Sequence, residues 1–157
     1  MMRRKVYILL IIASIMLACA GEKRGRSLAP YFSLKDISGQ TVTLDSYKGS
    51  PLVLVFWAIR CPTCRKEIPR LNALAQEGYS VVGIALDSGR EKVADFIRAH
   101  HVSYKVLLAN HQVLIDYGNI RFLPTIFLID ARGYMVEKMV GGIDEDKLDK
   151  FLKGFSS

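Results

Sequence analysis

Residues 51–64 read Pro-Leu-Val-Leu-Val-Phe-Trp-Ala-Ile-Arg-Cys-Pro-Thr-Cys, an apolar run from Leu52 that ends in Phe56-Trp57-Ala58 and is followed at once by Cys61 and Cys64. Such a run, rich in β-branched and aromatic residues, reads as a buried strand. A helix from Cys61 to about Glu77 is expected next, because Cys64, Ile68, Leu71 and Ala75 recur at i, i+4, i+7 and i+11 and form one apolar face. Pro62 suits the first helical position, where its missing N–H costs nothing. Pro69 lies inside the helix and is expected to kink it, and Gly78 to end it. A strand thus delivers a Cys-x-x-Cys pair to a helix, with Cys64 pointing inward and Cys61 at the helix start. The partial positive charge and unpaired N–H groups of a helix N-terminus favour thiolate over thiol. Cys61 is therefore the expected nucleophile and Cys64 the resolving thiol.

A chain of 157 residues, half of them hydrophobic, suits one domain with a full core. The net charge of +7 falls to +4 once Arg3, Arg4 and Lys5 are assigned to a leader. No basic run or aromatic-basic interleaving follows Arg26, so nucleic acid is not an expected partner. Residues 1–20 have the anatomy of an export leader: a basic start, an apolar run from Val6 to Ala18, and small residues at the end. That run is short for a membrane span. Met16-Leu17-Ala18-Cys19 resembles a bacterial lipobox, in which Cys19 would be lipidated. Ala18-Cys19-Ala20 also suits ordinary signal peptidase, and an uncleaved anchor is the third reading. All three place the domain outside the cytoplasm, in the periplasm or on the outer face of the cytoplasmic membrane. With Cys19 in the leader, the other two of the three cysteines form a close pair. Closing so short a loop restrains the unfolded chain little, so the pair reads as a redox centre rather than a staple.

Residues 21–29, polar and charged, read as a tether, and residues 30–157 as the domain. Phe32-Ser33-Leu34 and Thr41 to Leu44 are brief alternating segments around Asp36-Ile37-Ser38-Gly39, which predicts a small hairpin. Strands are expected at Ser80 to Leu86, Tyr104 to Leu108, Thr125 to Ile129 and Met135 to Val140. Helices are expected at Arg90 to His101, with Val93, Phe96 and Ile97 inward, at His111 to Tyr117, and at Asp144 to Gly154. Alternating strands and helices, closed by a hairpin and a helix, give an α/β sandwich.

Four ordered signals make the chain similar to a known family: APYFSLKDISGQTVTLDSYKG at 29–49, FWAIRCPTCRKEIPRL at 56–71, Leu123-Pro124-Thr125 before FLID, and Gly141-Gly142 before the last helix. Together they resemble the TlpA/ResA type of thioredoxin-like thiol-disulfide oxidoreductases, membrane-tethered bacterial proteins of the redoxin and AhpC/TSA superfamily. The likeness spans about Ala29 to Leu152. It implies a central mixed β-sheet flanked by helices, with the hairpin as an N-terminal extension, and no cofactor. It also implies polypeptide disulfides or dithiols as substrates, with a membrane thiol reductase as electron donor. Reduction is the implied direction, for example in cytochrome c maturation. In such folds a cis proline faces the sulfurs and the backbone before it pairs with substrate. The resemblance puts Pro124 and Leu123 in those places, where the residues alone would also suit a trans turn.

Several residues carry two readings. Arg60 would stabilise the Cys61 thiolate or sit as a solvated cation on the rim. Pro62 and Thr63, between the cysteines, would tune the potential through relative thiolate stability. Trp57 frames the substrate surface, fills the core, or does both. Thioredoxins carry a buried aspartate six residues before the nucleophile, where this chain has Val55. The proton of Cys64 then passes to water or to Glu67, one turn along the same helix. The family likeness favours Glu67, which otherwise reads as an exposed carboxylate. A different class of function, copper binding by the two sulfurs with a distant histidine, is the alternative; His100, His101 and His111 have no convincing metal-site spacing, and no metal site is assigned. Peroxiredoxin chemistry is not expected, since its Pro-x-x-x-Thr-x-x-Cys signature is absent.

Overall fold

The computed structural model describes residues 26–87 and 89–154. The leader, its Cys19 and residues 21–25 of the tether lie outside the described residues. The apolar run at the centre of the chain forms strand β3 (Leu52–Trp57), with every residue buried. Around it a five-stranded sheet runs in the order β5 (Lys105–Leu108), β4 (Ser80–Ala85), β3, β6 (Thr125–Ile129), β7 (Met135–Val140). The first three strands are parallel, while β6 and β7 pair antiparallel. The expected hairpin is present as β1 (Ser33–Lys35) and β2 (Thr41–Thr43).

Side chains alternate across a strand, and β3 uses the alternation to build two cores. Val53, Val55 and Trp57 face α1 (Pro62–Gln76), α2 (Arg90–Ala99) and α4 (Glu145–Lys153). Leu52, Leu54 and Phe56 face the other layer, made of the hairpin and α3 (His111–Asp116). There Phe56, Tyr117 and Phe127 form a ring cluster with centroids 5.1–5.9 Å apart. Both cores rest on burial worth about 1.5–3 kcal/mol per large apolar side chain.

The structure shifts some expected boundaries. Helix α1 starts at Pro62, with Cys61 as its N-cap. Its fourth buried position is Leu74 rather than Ala75, which is only half-buried: i+11 stays on the ideal stripe, but the core packs on the flank of the helix where Leu74 stands. Ile97 is likewise half-buried while Val93 and Phe96 carry the inner face of α2. Helix α1 runs on past Pro69 to Gln76. It stops at Gly78, whose φ of +91° admits a left-handed cap: Tyr79 N–H donates to Leu74 O at 3.0 Å and Gly78 N–H to Ala75 O at 3.2 Å. Tyr104 is buried but precedes β5, and Leu86 follows β4. Residues 27–29 already pair with the sheet: Met135 N–H donates to Ser27 O and Ala29 N–H to Gly133 O, both at 2.8 Å.

Candidate active site at the end of the central strand

Strand β3 ends at Trp57, and a turn closed by Cys61 N–H to Ala58 O (3.1 Å) brings the chain into α1. Cys61, in extended geometry, caps the helix through its sulfur, which accepts the Cys64 N–H at 3.1 Å. The two cysteines are joined as a disulfide, their Cα atoms 5.2 Å apart. They are not equivalent: Cys64 is 5 % exposed within the core, whereas Cys61 sits half-buried at the rim. Pro62 and Thr63 are exposed on the first turn, and Arg60 is exposed just before it.

Pairing of Phe56 with Thr125 sets the start of β6 level with the end of β3. Pro124, one residue earlier, therefore lies beside the cysteine turn, and the Leu123–Pro124 bond is cis. The Pro124 carbonyl accepts from Gly141 N–H at 2.8 Å, and Thr125 Oγ1 donates to Phe122 O at 2.6 Å. Leu123 is half-buried and packs against both cores.

Glu67 reaches the same corner from α1. Its Oε1 lies 2.8 Å from where a Cβ at Gly142 would stand, so a side chain there would push the carboxylate aside. Among the described residues the Glu67 carboxylate forms no hydrogen bond or ion pair, and none joins it to either sulfur. Val55 is buried in the core that holds Cys64, so no acid lies at that place in the strand. Trp57, 3 % exposed, packs on Phe96 with ring centroids 5.1 Å apart. Its Nε1 is buried without a partner. Among the described residues no cluster of three or more His, Cys, Asp or Glu side chains could hold a metal, so the copper alternative finds no ligand set beyond the two sulfurs.

One residue of the site went unread in the sequence. Asp87, just after β4, accepts the Ile59 N–H through Oδ2 at 2.7 Å and so ties down the turn before the nucleophile. A carboxylate immediately past the carboxyl end of a buried parallel strand was the available signal, since that edge is where open α/β sheets build sites. Beside it a cleft of about 630 Å³ is lined by Ile59, Arg60, Asp87, Lys92, Phe96 and His100.

Comparison with known proteins places this geometry. The model of the AhpC/TSA family matches residues 26–138. The chain is 30 % identical over 129 residues to the thiol-disulfide oxidoreductase ResA of Bacillus thuringiensis (strain Al Hakam), covering 80 % of this chain and 75 % of that one. To ResA of Bacillus subtilis (strain 168) it is 27 % identical over 128 residues, covering 79 % and 72 %. A crystal structure of a thioredoxin-family thiol:disulfide interchange protein from Chlorobium tepidum TLS superposes with a TM-score of 0.72 at 29 % identity, covering 83 % of this chain and 96 % of that one. The thioredoxin domain of a thiol-disulfide oxidoreductase from Bacteroides vulgatus gives 0.70 at the same identity, covering 83 % and 96 %.

Proposed function

As the chain belongs to the AhpC/TSA family and is a thiol-disulfide oxidoreductase of thioredoxin-like fold, we propose that its Cys61–Cys64 pair reduces disulfides of polypeptides outside the cytoplasm. The observation that carries this reading is the asymmetry of the pair: an accessible sulfur at a helix N-terminus and a second one buried beneath it. In the dithiol form, Cys61 thiolate attacks one substrate sulfur, the substrate S–S bond breaks, and the released thiolate takes a proton. Cys64 then gives up its proton and attacks Cys61 Sγ, expelling the second substrate thiolate and closing the Cys61–Cys64 disulfide. Two electrons pass to the substrate, and a membrane thiol reductase restores the dithiol.

Glu67 is the group in this chain placed to take the Cys64 proton, directly or through a water, since it lies one turn along α1 and makes no competing bond. Leu123 and Pro124 form the wall against which an extended substrate backbone lies. Arg60 supports the Cys61 thiolate, Pro62 and Thr63 set the relative stability of the two thiolates, and Trp57 backs the site from the core. The export leader and a lipidated Cys19 would hold the protein at the membrane. The first described residues join the sheet at the turn between β6 and β7, the end away from the cysteines. A tether entering there holds the pair facing outward. Cysteine pairs of apocytochrome c awaiting haem are the substrate class that the likeness to ResA suggests.

The test is Cys64→Ala in the full chain. Cys61 should then accumulate mixed disulfides with polypeptide partners, including an oxidised Cys-x-x-Cys-His peptide. If it captures none, polypeptide exchange is excluded. A reduction potential more positive than that of the surrounding compartment would reverse the direction to oxidation.

A further inference from the structure

The rim of the cysteine pair carries cations that no ion pair among the described residues engages. Arg60 precedes Cys61, Arg65 and Lys66 follow Cys64 on the first turn of α1, and Arg121 lies on the segment leading to Pro124. All four are exposed. The ion pairs among the described residues engage other cations and leave these four unpaired. The carboxylates at this pole keep their charge but face backbone amides or the interior, and among the described residues none forms an ion pair with these cations. Asp87 holds the Ile59 N–H, Asp144 caps α4 through the Lys147 N–H, and Glu67 is half-buried against Gly142. Further out, Lys92 shares the cleft with Asp87 and with Asp95, which pairs with Arg98, while Arg90 turns away to Ile37 O, so that edge is mixed in charge.

Apolar surface is exposed at the same pole. Phe122, two residues before Pro124, is 72 % exposed, and Val140, paired with Thr125 in the sheet, is 54 % exposed. The Thr125 hydroxyl bond to Phe122 O holds that backbone in place. Neither the Phe122 nor the Val140 side chain belongs to the two cores, so both are open to an apolar group of a partner.

We propose that this rim docks polypeptide segments that carry acidic side chains next to the reacting cysteine, with an apolar residue seated on Phe122 and Val140. The proposal rests on the reading above that polypeptides are the substrates, and adds which ones. Opposed charge mainly accelerates encounter, which suits a reaction whose partners must separate again after each exchange. Such steering raises association rates by roughly 10–10³-fold and fades with ionic strength, since charges are screened beyond about 10 Å at 0.1 M salt.

The experiment uses the reduced full chain and three peptides that share one disulfide loop and one apolar residue but are flanked by Asp and Glu, by Gln, or by Lys. Second-order reduction rates are measured at low and high ionic strength. Each rate is divided by the same protein's rate with a small uncharged disulfide, which reports the chemistry of the sulfurs alone. The acidic peptide should react about tenfold or more faster than the basic one at low ionic strength, and the ratio should approach one at high ionic strength. The double variant Lys66→Glu, Arg121→Glu should reverse the order. Equal normalised rates for the three peptides overturn the acidic-partner proposal and leave polypeptide exchange standing. Reaction with the small disulfide but with none of the peptides removes polypeptide exchange itself. Equal peptide rates together with binding to phosphatidylglycerol vesicles assign the cations to a lipid surface, which also overturns the proposal.

Discussion

The two sulfurs differ because one position is a helix cap and the other is its first inward turn. Their spacing, with Pro62 at the first helical position, made that asymmetry legible before any tertiary contact was known. The proton route was not legible in the same way. Val55 excluded the expected strand acid, but only the folded chain shows Glu67 turned toward Gly142 and free of other partners. Glu67→Gln should slow release of the mixed disulfide about a hundredfold, the ordinary scale of a lost general base, while Cys61 attack is affected little. Stopped-flow separation of the two steps checks this, and equal release rates would return the proton to bulk water. Asp87 was missed because its partner, the Ile59 N–H, is 28 residues away in the chain. Asp87→Ala leaves that amide without its acceptor and should cost about 1–3 kcal/mol in urea unfolding.

Elements followed the sequence closely where periodicity was strong. Strands β6 and β7 have the expected ends, and α4 fills the expected span from Asp144 to Gly154 with those two residues as its caps. The drift from Ala75 to Leu74 on α1 shows the limit of such reading: an idealised stripe ignores which side of it the sheet contacts. Close approach between elements was not legible at all. At Gly83 in β4, an added Cβ would stand 2.6 Å from Trp57 Nε1 and 2.9 Å from the Tyr104 ring. Gly83→Ala must therefore push the indole or the tyrosine aside, and should destabilise by about 1–3 kcal/mol. Trp57 is the single tryptophan of the chain, so its emission reports the displacement directly. Unchanged emission with unchanged stability would show that the packing there is looser than described.

Across the whole molecule, the hairpin packs on the sheet through Phe32 and Leu34, and a buried carboxylate adds a polar tie. Asp36 accepts from Ser38 Oγ (2.6 Å), Ser38 N (2.9 Å), Gln40 N (3.0 Å) and Lys105 Nζ on β5 (3.1 Å), and bridges to Leu107. The Ser38 hydroxyl first, then Lys105 and the two backbone amides, hold its carboxyl well below the usual carboxylate range despite the opposing effect of burial. A folded-state value below the unfolded one gives stability that is full above about pH 5 and lost as pH falls through the ordinary aspartate value and below. Asp36→Asn should lower stability at neutral pH by about 1–3 kcal/mol and flatten the acid limb below about pH 4; denaturant titrations from neutral pH down to about pH 2 measure both. A variant with an unaltered acid limb would place the acid sensitivity elsewhere. Local chemistry and periodicity determined this protein's strands, helices and reactive pair, because each depends on residues a few positions apart. The position of Pro124 beside the cysteines, the turn of Glu67 to Gly142 and the tie from Asp87 were decided by the tertiary structure, because each joins segments far apart in the chain.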